Sequence, residues 1–109
     1  MTITREELAG LGPKIAIAIA AGKAAAEACP DDGGSANCDR VVIPIPGIRA
    51  SAVTGLPGYV QKRSGWHRQG IHLDTPWPGI GNRHSAGVQA MHKSLKDQGV
   101  DCYVYYQID

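Results

Sequence analysis

The residues best suited to chemistry lie between Gly58 and His84, in the stretch GYVQKRSGWHRQGIHLDTPWPGIGNRH. It holds both tryptophans, three of the four histidines, four basic side chains and one acid, Asp74. Flat rings, fixed cations and backbone donors bared by glycine suit an anionic, planar ligand such as a nucleotide. On that pattern Arg63, Arg68 and Arg83 would neutralise phosphate, Trp66 and Trp77 would stack on a base, and Asn82 would read a base edge or cap a helix. The most specific piece is GIGNRH, where glycines ahead of a helix expose amide donors and Arg83 and His84 stand beside them. It matches neither the phosphate-binding loop nor the dinucleotide fingerprint.

Histidines support a second reading. His67, His72 and His84, with a neighbouring Lys or Arg, are the groups a metal-independent RNase or phosphodiesterase uses for acid, base and charge stabilisation. Strand alternation places His67 and His72 on opposite faces, which weakens the pairing. His72 and Asp74 share a face and with His84 make a three-ligand metal candidate, although two residues at strand spacing recur by chance. The serines lack a nucleophile-elbow context, and Cys102 falls in a strand expected to be buried. A binder is therefore expected ahead of an enzyme, with no metal and no cofactor.

A chain of 109 residues fits one domain, residues 1–109, with a modest core. Phenylalanine is absent, so aliphatic residues, tyrosines and tryptophans must fill that core. The net charge of +1 conceals a bias, since six Lys or Arg between Arg40 and His84 face only Asp74. The middle of the chain would thus present a positive field to an anionic partner, although a solvated loop kept soluble by its charges is the plain alternative. Cys29, Cys38 and Cys102 make an odd count; Cys29 and Cys38 bracket PDDGGSAN and would close a small ring only in an oxidising compartment. The apolar run from Ile15 to Ala21 is too short to span a bilayer, so no membrane association and a cytoplasmic location are expected.

These residues need elements to position them. TREE, Thr4 to Glu7, is a capping box that opens a helix, with Ile3 stapled onto Leu8. The helix continues across Pro13, with Leu11, Ile15, Ile19, Gly22 and Ala26 at helical spacing, and ends near Cys29 because Pro30 cannot extend it. Ala18, Gly22 and Ala26 form a strip of small residues, expected to pack on the protein's own sheet, with pairing of subunits in a homo-oligomer as the alternative. Val41 to Ile45 is a strand that Pro44 and Pro46 force to a sheet edge or to an early end. Tyr59 to Arg63 and Trp66 to Leu73 form a hairpin about Ser64 and Gly65, setting Arg63 opposite Trp66 and Gln61 opposite Arg68. After the irregular TPWPGIG, Asn82 caps a helix running to Gln98, with Val88, Met91 and Leu95 buried and Gly99 as its stop. Val100 to Ile108 alternates as a strand.

The order predicts an α+β fold, a small, mainly antiparallel sheet of about four strands with two helices packed on one face. The function expected of it is capture of an anionic, nucleotide-like small molecule, with a nucleic-acid segment less favoured because a duplex binder carries more basic excess. A small histidine-based RNase, and an inhibitor or assembly subunit docking on an acidic protein partner, are the alternatives. Small size and the lack of a motif resemble the small accessory proteins of phages and mobile elements, a likeness of class that no residue carries.

Overall fold

The computed structural model describes residues 3–62 and 69–107. Helix α1, Arg5–Ala9, opens with the expected capping box: the Glu7 N–H donates to Thr4 Oγ1 at 3.1 Å and the Thr4 N–H donates to Glu7 Oε1 at 2.9 Å. Helix α2, Leu11–Ala28, follows after Gly10 and ends at Cys29, ahead of Pro30. It buries Leu11, Ile15, Ala18, Gly22 and Ala26, with Ile19 partly covered.

Four strands form one antiparallel sheet in the order β2-β3-β1-β4: β1, Arg40–Pro44; β2, Gly58–Gln61; β3, Gly70–Leu73; β4, Tyr103–Tyr105. A 3-10 turn at Ala50–Val53 lies between β1 and β2. Two expectations about the strands are corrected. β1 ends early, as one option had it, but it is central and not an edge. Ile45 donates its N–H towards β3, to the Gln69 carbonyl at 2.9 Å, so alternation turns the Pro44 nitrogen towards β4. Pairing with β4 has already stopped at Val42, so the donor that proline lacks is not missed.

The hairpin register is also shifted. Gln61 lies opposite Gly70, not Arg68, and Tyr59 lies opposite His72. A slip of two residues keeps every side chain on its own face, so the hydrophobic pattern cannot distinguish the two registers. What differs is local fit. Gly58, at φ 134°, brings its Cα so close to the His72 carbonyl that a Cβ would collide, and Tyr59 stacks on His72 at 5.2 Å. The turn at Ser64 and Gly65 lies outside the described residues.

Helix α3, Asn82–Asp97, buries Gly87, Val88, Met91 and Leu95 and stops before Gly99, which adopts φ 82° as a C′ glycine should. Val41, Ile43, Ile71 and Leu73 turn to the helices and form a shared core with Leu11, Ile15, Val88, Met91 and Leu95. The alternate residues, Arg40, Val42, Tyr59, His72, Tyr103 and Tyr105, therefore lie on the helix-free face. Trp77 lies in the core, 7 % exposed, against both helices. A Cβ at Gly22 would meet its ring at 2.7 Å and the Gly87 carbonyl at 2.9 Å, and a Cβ at Gly87 would clash with the ring outright. The small strip of α2 thus receives α3 and an indole from its own chain, where packing on the sheet was expected.

Overpacking this contact should cost about 1–3 kcal/mol. Gly87→Ala is expected to lower the urea midpoint accordingly, and Gly87→Ala combined with Trp77→Leu to recover part of the loss; a single variant as stable as the parent would refute the packing.

Candidate functional site

The entrance to α3 has the donors that its glycines foretell, and an anion already sits on them. The carboxylate is that of Asp32. Its Oδ2 accepts from the Ile80 N–H at 2.9 Å, and its Oδ1 accepts from Gly81 at 2.9 Å and from Arg83 at 3.1 Å. These backbone donors, with Arg83 nearby, hold the Asp32 carboxyl below the ordinary aspartate range. Gly79 adopts φ 112°, and a Cβ there would meet Asp32 Oδ1 at 3.1 Å, so glycine is what lets the carboxylate approach. Asp31 adds a second tie, accepting from the Gly33 N–H at 2.9 Å and from Asn82 Nδ2 at 3.2 Å, and its carboxyl is likewise lowered.

Three expected ligand residues are accordingly reassigned. Asn82 is the first residue of α3 and Gly81 is its N-cap, so the Asn82 amide braces the 29–37 loop where capping was expected. Arg83 turns its Nε to the Cys29 carbonyl at 3.2 Å, closing the C-terminal end of α2, where a cation is favourable. Trp77, sealed between α2 and α3, has no free face for a base. Arg63, Trp66 and Arg68, with the alternative histidine His67, lie outside the described residues.

The other two histidines are both engaged. His84 donates from Nε2 to the Asp39 carbonyl at 2.7 Å. His72 is fully buried, and its Nδ1 accepts from Arg40 Nε at 2.7 Å, which places the ring proton on Nε2. An imidazole roofed this way offers no base at Nδ1 to a substrate. Among the described residues, no three of His, Cys, Asp or Glu converge as a metal site requires.

Arg40 is the residue that sequence reasoning counted only as a charge. Its Nη1 donates to the Cys38 carbonyl at 3.1 Å and to Gln107 Oε1 at 2.6 Å, and its Cζ stands 4.7 Å over the Tyr105 ring. The result is a guanidinium fixed on two edges and one face. It borders a cleft of about 420 Å³ with Cys38, Tyr59, Asp74, Ile80 and His84. Tyr59 keeps 51 % of its surface exposed while its inner face stacks on His72, tilted by 24°. The arrangement is a floor with a fixed cation, an aromatic wall from β2 and an apolar wall at Ile80, which is 66 % exposed. The alternation of Tyr103 and Tyr105 in β4 was the available signal, but nothing local says that Arg40 lies against it.

All three cysteines are free thiols. Cys38 is exposed on the cleft, whereas burial pushes the Cys102 thiol up to about 11, leaving little thiolate at neutral pH. Ellman's reagent should therefore titrate Cys38 promptly and Cys102 only after unfolding; prompt reaction at Cys102 would contradict its burial.

The Asp32 tie predicts a pH signature. A carboxyl lowered on folding contributes stability that is fully present above the ordinary value near 3.8 and is lost as pH falls through the lower folded value. Asp32→Asn should melt several degrees lower at pH 7, and the gap should close in strongly acidic buffer. A gap that persists there would show that the carboxylate's charge is not what matters. No protein-family model, no curated protein and no solved structure matches this chain.

Proposed function

We propose that this protein is a non-enzymatic binding module that captures a planar, anionic, nucleotide-type ligand in the cleft between Arg40, Tyr59 and Ile80. The observation that carries this reading is the state of Arg40. Among the described residues its partners are an imidazole, a carbonyl, an amide and an aromatic ring, all neutral, so its charge is held in place with no carboxylate partner among them. A preorganised cation of this kind recognises phosphate without the entropy cost of ordering a free side chain. Tyr59 supplies the stacking surface, and its rigid seat on His72 leaves only the outer ring face for a base.

The acids orient the ligand. Asp39 is buried and its Oδ1 accepts from the Gln107 N–H at 2.8 Å, whereas Asp74 is exposed on the rim. Phosphate is repelled near Asp74 and attracted at Arg40, so the anionic end seats on the floor and the base rests on Tyr59.

Titration calorimetry with nucleoside monophosphates tests the proposal. Tyr59→Ala should weaken binding by roughly 5- to 150-fold, the equivalent of about 1–3 kcal/mol for one stacked base, and Tyr59→Phe should retain it. Bound nucleotide should also slow labelling of Cys38. Absence of heat with every nucleotide, or wild-type affinity in Tyr59→Ala, would overturn the reading.

A further inference from the structure

A second cationic surface lies at the far end of the strand that carries Tyr59. Arg49 and Lys62, both exposed, line a groove of about 440 Å³ with Ile48 and Val60, and no acidic residue borders it among the described residues. Neither cation has an ion-pair partner among the described residues. Two uncancelled charges over an apolar floor attract an anion and give its flatter parts somewhere to rest.

The position of this groove relative to the Tyr59 cleft is what gives it meaning. β2 is an edge strand among the described residues, so its two faces meet along one rim. Tyr59 points to the helix-free side, whereas Val60 and Lys62 line the groove on the other. Three residues of strand separate Tyr59 from Lys62, about 10 Å at the rise of an extended chain. A single nucleotide seated at Arg40 and Tyr59 cannot place a phosphate in both clefts. A linear polyanion crossing the rim can.

We infer that the ligand is a single strand of nucleic acid, one base stacked on Tyr59 and the neighbouring phosphates passing over β2 to Lys62 and Arg49. This rests on the proposed Tyr59 cleft and extends it from a mononucleotide to a chain. A duplex does not fit the same geometry, because a base must be free of its stack to lie on the Tyr59 ring.

Fluorescence anisotropy with labelled thymidine monophosphate and labelled oligothymidylate of eight nucleotides decides the matter. Wild type should bind the octamer at least tenfold more tightly than the monomer. Arg49→Ala with Lys62→Ala should abolish that gain, leave monomer affinity unchanged, and reduce the slope of log K against log salt by about 1.4, at about 0.7 per phosphate on a single strand. Both residues are exposed, and an unchanged thermal melt confirms that the variant folds. Equal affinity for monomer and octamer, or a gain that survives the double substitution, overturns the strand inference while the mononucleotide reading stands. Binding of neither probe to wild type overturns both. Labelled polyglutamate binding as tightly as the octamer overturns the strand in favour of an acidic protein partner.

Discussion

The carboxylate of Asp32 at the N-terminus of α3 is the contact on which the rest of the architecture turns. A helix presents unpaired N–H groups and partial positive charge at that end, and something must satisfy them. Here the satisfying group comes from 48 to 51 residues away, so a purely local requirement becomes a long-range tie between the 29–37 loop and the 79–83 turn. Further bonds follow the same seam: Asn82 N–H to the Gly33 carbonyl at 2.9 Å, and Asn37 N–H to the Ile80 carbonyl at 2.8 Å. Both rims of the Arg40 cleft include or adjoin the segments joined in this way, with Asn37 followed by Cys38 and Asp39 on one side, and Gly79 and Ile80 followed by His84 on the other. The ionised aspartate therefore helps to fix the spacing of the two rims without itself lining the cleft.

The helix-free face follows a different logic. In a sheet covered on one side only, alternate residues normally turn polar, yet here they are His72, Tyr59, Tyr103, Tyr105 and Val42. Tyr59 lies opposite His72, His72 opposite Val42, and Val42 opposite Tyr103, so one row crosses all four strands. Arg40 lies two residues further along β1 and reaches back diagonally to His72 while covering the Tyr105 ring. Arg40 bonds His72 and covers Tyr105 while Tyr59 stacks on His72, so rings and guanidinium contact one another along this face.

What the sequence revealed divides by the range of the interaction. The capping box at Thr4, the stop at Gly99, the buried stripe of α3 and the α+β class of the fold are set within a few residues, and each was legible. The chemistry of GIGNRH was legible too, down to the wish for a carboxylate or phosphate, but not the fact that Asp32 supplies it. Trp77 sits among prolines and glycines that mark an exposed turn, and only the gap left by Gly22 and Gly87 on two distant helices explains why the indole is inside. The hairpin register escaped for a formal reason, since a shift of two residues leaves the hydrophobic pattern unchanged.

Counting charge along the chain misled in an instructive way. The cations between Arg40 and His84 look like one field, but the fold gives the described ones, Arg40, Arg49, Lys62 and Arg83, different surroundings. Arg83 lies near Asp31 and Asp32 and contributes to lowering both carboxyls, while its Nε donates to the Cys29 carbonyl. Arg49 and Lys62 stand in solvent, where water screens them and their attraction acts mainly at a distance. Arg40 alone among these four is held by several neutral partners and faces a cleft. Its side chain is half-buried and borders the cleft. A composition pattern cannot express that difference, because it depends on what lies within about 3 Å of each guanidinium edge, the reach of a hydrogen bond.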